Sequence, residues 1–558
     1  MEAILLVLLI VGGAAALSWP LGRYLRWAMD PVSLAGPAGR FDRLFRRIGG
    51  RSTRESQDWK RYCVALLTFN VVMFVVCFGL LALQHLLPWN PDGKTSLEPS
   101  LVFHTTASFT SNTNLQHYSG EVSLTYLSQL GALMWLQFVS AATGIAALAA
   151  MARGLAGRAA MGNFFVDVQR ATFLVLLPAA VVVAAWLVLA GMPMTLQGAV
   201  KALTLEGAEQ SIARGPVAAF VAIKQLGTNG GGYFGTNSTH PFENPSFSTN
   251  AVSTIAILAI PMACVWMFGR IVGRMRHATV VFGVMLMLLL VKIGAAVVLE
   301  SAPTPAFEGL PIAQDTGNLE GKELRFGAAA GPLWAAATTS TSNGSVNCMH
   351  DSLNPLTGLV PMAGMWLNAT FGGAGVGMIN MFVYVVLAVF LAGMMVGRTP
   401  EYLQRRVEIG EVKLAVLAMF AHALFVLGGT ALFAATPWGT STTKTVGAHG
   451  FSEILYEFSS ASANNGSGFE GLGDDTVPWN VATGLVMLLA RYLPIVLPLA
   501  IAGSMARKRP TAASAGTLAV DTTTFGVMLL ATILFLGMLT FLPAAALGPV
   551  AEHLGSVK

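Results

Sequence analysis

The sequence predicts an all-α polytopic membrane protein. Ten transmembrane helices are expected, eight of them forming four helix–pore loop–helix repeats around a pseudo-fourfold axis. Three observations lead there. Of 558 residues, 54% are hydrophobic and 11% charged, whereas a soluble domain carries about 25% charged residues. Ten stretches are long and apolar enough for a membrane helix. Four polar loops rich in Gly and Asn each follow an apolar piece too short to span.

The ten expected spans are 3–22, 62–87, 124–149, 172–190, 252–271, 279–298, 377–396, 414–433, 481–503 and 525–542. Basic residues collect on the cytoplasmic side of a membrane protein. With the N-terminus outside, the inside segments hold twenty-three Lys and Arg and the outside segments eight. Both termini are therefore expected on the extracellular or periplasmic face. The first span has Glu2 before it and its basic residues after it. That polarity suits a retained helix better than a cleaved signal. The net charge of +5 follows from the same bias, so no nucleic-acid partner is expected; membrane lipid is. Cys63, Cys77, Cys264 and Cys348 form no CxxC pair, which supports neither a disulfide framework nor a zinc site. Gly93-Lys94-Thr95 lacks the first glycine of a P-loop.

Between the second and ninth spans one pattern recurs four times: a span outward, a long outside segment, a span inward, a short basic linker. Units of one orientation are related by rotation about the membrane normal. The boundaries are 1–61 for the first helix and basic cytoplasmic loop, then 62–152, 171–272, 278–398 and 411–505 for the four pore repeats. Residues 520–558 hold the last helix and tail. Each outside segment has a short apolar piece: 100–109, 217–226, 333–340 and 453–462. Pro99, Pro216 and Pro332 precede three of them, as proline does at a helix start, and Ser452 is placed to cap the fourth.

Each short piece runs into a polar loop: Ser111-Asn112-Thr113-Asn114, Gly227-Thr228-Asn229-Gly230-Gly231-Gly232, Ser342-Asn343-Gly344-Ser345 and Asn464-Asn465-Gly466-Ser467. Irregular backbone at membrane depth persists only inside protein or along a wet cavity. Turning successive carbonyls toward one axis needs residues tolerant of positive φ, chiefly Gly and then Asn. Matching Asn229-Gly230, Asn343-Gly344 and Asn465-Gly466 with Asn112-Thr113 sets Gly230, Gly344 and Gly466 in one column with Thr113, and predicts an asymmetric ring. Carbonyl rings replace the water around a dehydrated monovalent cation. The absence of Asp and Glu from these loops argues against a divalent ring. The expected ligand loops are Asn112, Thr113 and Asn114; Thr228, Asn229, Gly230 and Gly231; Ser342, Asn343 and Gly344; and Asn464, Asn465 and Gly466.

The repeat resembles the potassium-channel superfamily, with degenerate filter sequences as in Trk/Ktr-type transporters. Longer stretches are more specific: 111–116 with Tyr118-Ser119-Gly120-Glu121, 224–232, His240-Pro241-Phe242-Glu243-Asn244-Pro245, Met349-His350-Asp351-Ser352, 397–403 and Arg491-Tyr492-Leu493-Pro494. Over essentially the whole chain, these resemble the potassium-binding subunit of the bacterial Kdp potassium-importing ATPase. The resemblance implies K+ as bound substrate, with no other cofactor in this chain. It implies partners in the inner membrane too: the P-type ATPase KdpB, which hydrolyses ATP, together with KdpC and the small KdpF. It also implies a tunnel from this chain to KdpB. His104 and Leu115 depart from the family's Asn and Trp near the first loop. A stand-alone channel or ion-coupled transporter of the Trk/Ktr type is the second reading.

Several further residues are singled out. The resemblance places a selectivity-sensitive Gln at Gln116, which is expected to reach the cavity, as is Gly232. A central Arg491 is costly in a span and is expected to line the ion path or brace the fourth repeat. Lys292 sits close enough to its span's outer end to snorkel partly, and is assigned beside the tunnel. Gly372, Gly373 and Gly375 interrupt an apolar run too long for one crossing, as a broken inner helix that gates the filter would. Residues 41–48 suit either a basic amphipathic helix on the inner surface or a solvated loop.

Overall fold

The computed structural model describes residues 2–31, 37–304, 307, 309–395, 397, 399–511 and 518–556. Arg398, part of the 397–403 motif and the end of the expected third repeat, lies outside the described residues, as does Lys558 in the expected tail.

Ten described helices are long and apolar enough to cross a membrane. In chain order the main helices are α1 (Glu2–Met29), α2 (Pro37–Ile48), α3 (Trp59–Ala82), α4 (Pro99–Thr110), α5 (Ser128–Leu155), α6 (Phe164–Leu189), α7 (Val217–Leu226) and α8 (Phe247–Val272). There follow α9 (Met275–Glu300), α10 (Gly327–Ser340), α11 (Pro355–Leu367), α12 (Val376–Met395), α13 (Ile409–Ala434), α14 (Ala448–Ala463), α15 (Val477–Arg507) and α16 (Thr523–Ser556). Two small antiparallel ribbons pair Val200–Leu203 with Glu209–Ile212 and Glu401–Tyr402 with Arg405–Arg406.

Burial separates inner from outer helices. Within the most apolar windows of α5, α8 and α12, 83%, 89% and 72% of residues are buried, against 28% for α3, α6 and α13. The outer helices therefore present Val and Leu to lipid while the inner ones line the centre. The first helix lies against the second repeat: Trp266 Nε1 donates to Ser18 Oγ (3.0 Å), and the Trp19 and Trp266 rings meet edge-on at 4.9 Å. A Cβ on Gly22 would lie 2.4 Å from Trp266 Cβ, so only glycine admits this approach. Residues 41–48 belong to a helix, α2, whose Phe41 and Phe45 rings lie against Phe173. Its Asp42 accepts from Arg170 Nε at 2.9 Å, which holds the helix to the protein.

Two of the four re-entrant helices start elsewhere than the sequence suggested. Pro99 does open α4, whose cap is Glu98. The helix α7 starts at Val217, as expected, with Pro216 as its N-cap. Pro332 lies inside α10, which begins at Gly327; Ala328, Ala329 and Ala330 are strong helix formers that carry the helix across the proline. Ser452 does not cap α14. Gly447 does, at φ 81°, and the Ser452 hydroxyl donates within the helix to the Ala448 carbonyl. All four described cysteines are free and buried.

His449 ties the end of the described chain to the repeats. Its Nε2 meets Asp351 Oδ1 and its Nδ1 meets Glu552 Oε1, each at 2.9 Å, with Glu453 3.9 Å away. Hydrogen bonds donated to Asp351 and Glu552 push the imidazole pKa up to about 10. A raised pKa gives stability that is complete below the unfolded value near 6.5 and is lost as pH climbs through the folded value. His449→Gln is therefore expected to lower the melting temperature at pH 6, with the gap to wild type closing by pH 10.5 in thermal scans.

Candidate functional site

The four polar loops meet in one buried ring. Each leaves the C-terminal end of its short helix through the same bond. The N–H of Thr113 donates to the Ser108 carbonyl (2.9 Å), Asn229 to Lys224 (3.0 Å), Asn343 to Thr338 (2.9 Å) and Asn465 to Ser460 (2.9 Å). Each loop then places two left-handed residues two apart. They are Asn112 and Asn114 (φ 68° and 58°), Thr228 and Gly230 (50° and 84°), Ser342 and Gly344 (49° and 88°), and Asn464 and Gly466 (51° and 103°). Alternating handedness turns successive carbonyls to one side of a strand, the arrangement a carbonyl-lined ion filter needs.

This corrects the expected register. Thr113 belongs with Asn229, Asn343 and Asn465, and Asn114 shares the column of Gly230, Gly344 and Gly466. Asn is the non-glycine residue that best tolerates a left-handed conformation, so the first loop keeps the geometry without glycine. The Asn-Gly match misplaced loop one because no glycine marks its column there; register is set at the C-terminal ends of the short helices. The ring is still asymmetric, through its hydrogen bonds. The Thr228 carbonyl accepts from Asn112 Nδ2 (2.9 Å) and the Gly230 carbonyl from Asn237 Nδ2 (2.8 Å).

The loops touch in chain order. A Cβ on Gly230 would lie 1.7 Å from the Asn343 carbonyl oxygen, on Gly344 2.1 Å from that of Asn465, and on Gly466 2.1 Å from that of Thr113. Asn229 Nδ2 donates to Asn112 Oδ1 (2.7 Å), completing the ring between loops one and two. The Asn343 and Asn465 side chains each reach the preceding repeat's short helix, donating to Lys224 and Thr338 carbonyls at 3.1 Å. Gly231 abuts Asn114 and Phe109.

Below the ring lies a cavity lined by Asn112, Ser342, Asn464, Asn368, Gly372, Gly373, Asn380 and Arg491. Arg491 is 4% exposed and donates through Nη2 to the Ser140 carbonyl at 3.0 Å. Among the described residues no carboxylate pairs with it. The break between α11 and α12 crosses this cavity. Asn368 (φ 42°) ends α11. The Gly373 N–H then donates to the Thr341 carbonyl (2.6 Å) and the Ala374 N–H to Thr228 Oγ1 (2.8 Å). Gly375 lies against the inner helix of the first repeat, where a Cβ would be 2.2 Å from the Gly144 carbonyl oxygen. A second cavity adjoins the first through Asn368, Asn380, Ala490 and Pro494, and runs outward between Tyr384, His422 and Phe541.

The two residues expected to reach the cavity, Gln116 and Gly232, lie elsewhere. Gln116 Nε2 donates to the Gly232 carbonyl (3.0 Å) and its Oε1 accepts from the Gly232 N–H (2.6 Å). The pair joins loops one and two beyond the ring, on the side away from the cavity, because the chain has already climbed past Asn114 and Gly230. Lys292 does not snorkel. It is 8% exposed, and its Nζ is buried without a hydrogen-bond partner. It lines neither cavity described above.

Other supports went unread in the sequence. Lys224, inside α7, is fully buried and paired with Glu243, and also donates to Asn237 and to Ser238 Oγ (2.8 Å). Glu243 Oε1 in turn accepts from the Tyr233 and Phe234 N–H groups at 2.6 and 3.0 Å. A lysine inside a short apolar helix was the available signal. Asn380, a lone amide within the apolar α12, was another; it donates to the Asn368 carbonyl at 3.0 Å.

Nearly the whole chain matches known sequences. Residues 6–554 match the family model KdpA, described as "Potassium-transporting ATPase A subunit". The chain belongs to this family. Relatives of the family share 45–46% of residues with it. One from Geobacillus kaustophilus is 45% identical over 96% of both chains, and one from Flavobacterium psychrophilum 46% identical over 96% of both. One from Rhodospirillum centenum is 46% identical over 99% of this chain and 97% of its own. Each is named "Potassium-transporting ATPase potassium-binding subunit". Family membership and the ten apolar helices make this a multi-pass membrane protein.

Proposed function

We propose that this chain is the potassium-binding, non-hydrolytic member of an ATP-driven potassium import complex. It takes K+ from the extracellular or periplasmic side through the four-loop ring and passes it to the P-type ATPase KdpB. KdpC and KdpF complete the assembly in the bacterial inner membrane, with both termini of this chain outside. The carrying observation is the paired left-handed residues, repeated in register in four mutually touching loops. Such a ring offers carbonyl oxygens in place of water to a monovalent cation. The four C-terminal helix ends, each worth about half a negative charge, favour a cation in the cavity below.

In this reading K+ binds among Asn112–Asn114, Thr228–Gly231, Ser342–Gly344 and Asn464–Gly466. Gln116 and Gly232 hold the outer mouth at its width. The Gly372–Gly375 segment closes the cavity floor, and Arg491 opposes a second cation resting there. The adjoining cavity beside Tyr384 and His422 is the lateral way toward the partner. Lys292, whose buried amine has no hydrogen-bond partner and which lines neither cavity, is kept beside a tunnel farther along the transfer path. The six segments, four repeats between two terminal units, are kept as proposed units.

Purification in mild detergent tests the assembly. Co-purification with an ATP-hydrolysing partner is the expected result. Recovery of the chain alone, with voltage-driven K+ flux in liposomes, would instead favour the Trk/Ktr-type reading. The floor segment has its own test. Gly375→Ala forces a Cβ against the Gly144 carbonyl and is expected to lift the segment. Passive K+ leak through the reconstituted complex without ATP should rise about tenfold, the effect of displacing an equilibrium by about 1.4 kcal/mol. An unchanged leak would remove the gating role.

A further inference from the structure

The seam between the first and fourth loops holds a cluster that the ion ring does not use. His117 follows loop one, Glu457 lies in α14 and Asp474 follows loop four. The His117 Nε2 atom is 3.1 Å from Glu457 Oε1 and 3.8 Å from Asp474 Oδ2. One ligand atom from each of the three lies within 4.8 Å of the others.

The imidazole tautomer follows from its other side. His117 Nδ1 lies 2.8 Å from Asn480 Oδ1. The Asn480 Nδ2 donates to Ser100 Oγ (3.1 Å), which leaves the amide oxygen facing the ring. An amide oxygen only accepts, so Nδ1 carries the hydrogen. In the neutral ring Nε2 is then a bare lone pair aimed at carboxylates. That arrangement is repulsive unless a cation sits there. Behind His117 stacks His104, with ring centroids 3.7 Å apart at 20°. His104 is 0% exposed, and neither of its ring nitrogens has a hydrogen-bond partner. The near-parallel rings keep its nitrogens out of the line of the His117 Nε2 lone pair, so His104 covers the cluster without joining it.

We propose that His117 Nε2, a Glu457 oxygen and an Asp474 oxygen, with a water on the Asp474 side as fourth donor, form a binding site for a divalent transition-metal ion of the zinc type. Charge favours a metal over a proton. Two carboxylates balance a divalent ion, whereas one proton on His117 leaves a net negative charge in the cluster. Mixed imidazole and carboxylate donors suit zinc; magnesium and calcium prefer oxygen alone. Tetrahedral zinc with bonds of about 2.0–2.2 Å sets its donor atoms roughly 3.3–3.5 Å apart, and the observed 3.1 and 3.8 Å bracket that spacing. Asn480 supplies the outer hydrogen bond that metal-bound histidines normally have. The Asp474 side chain is 27% exposed, which gives the ion a way in.

The ion would brace the junction where Gly466 meets Thr113, and the site does not depend on what the ring conducts. The test uses the purified full-length protein in its complex, stripped with a chelator and titrated with zinc chloride. One tightly bound zinc per chain is expected, with a higher melting temperature on loading. His117→Asn and Glu457→Gln should weaken binding at least hundredfold. Should His117→Asn not fold, Asp474→Asn at the rim decides. Substoichiometric zinc in the wild type, or equal affinity in wild type and these variants, would overturn the site.

Discussion

Gly230→Ala is expected to lower the apparent K+ affinity of ATP-driven uptake at least about hundredfold. Two costs combine. A side chain at φ 84° costs about 1–2 kcal/mol in conformation alone, which is a factor of roughly 5–30. The new Cβ must also displace the Asn343 carbonyl, which lies 1.7 Å from its position, and that carbonyl belongs to the proposed ring. Gly273→Ala is the control. Gly273 has φ 75° with nothing within 4 Å of a built Cβ, at the C-cap of α8. It should cost similar conformational strain and leave K+ affinity unchanged. Equal losses in both variants, measured as uptake against K+ concentration, would sink the filter assignment. The corrected register adds a sharper expectation: Asn114→Gly should be tolerated better than Asn114→Val, because position 114 carries the left-handed turn.

Lys224→Met is expected to destabilise the folded protein by about 3–5 kcal/mol, the usual cost of leaving one partner of a buried ion pair uncompensated. Both side chains of the Lys224–Glu243 pair are 0% exposed. Glu243 also receives the Tyr233 and Phe234 N–H groups, so the pair holds the chain just beyond Gly232. Thermal unfolding of the purified protein should show the loss. The double variant Lys224→Met with Glu243→Gln should recover part of it, because the buried charge is gone. A single variant as stable as wild type would mean that the pair contributes no net stability.

The chain reported its membrane segments openly. A run of some twenty apolar residues has few other fates, and ten were legible with boundaries shifted by several residues. The four polar loops were equally plain, because Gly and Asn stood between apolar pieces too short to cross. The break before α12 was readable from Gly372, Gly373 and Gly375. The starts of α10 and α14 were not, since Pro332 and Ser452 are local signals that alanine propensity and Gly447 outweighed.

What the sequence determined by itself was the inventory: ten helices, four re-entrant pieces, four loops able to take positive φ, and one arginine inside a span. Local composition suffices for these, because each depends on residues close in the chain. Only the tertiary structure decided which residues share a column of the ring. Register comes from contacts between loops more than a hundred residues apart, such as Gly230 on Asn343 and Gly344 on Asn465. The same is true of Gln116 on Gly232, of Gly375 on Gly144, and of His104 stacked against His117 beside Glu457. No periodicity within one segment encodes such pairings; they appear when separate helices deliver their ends to a common centre.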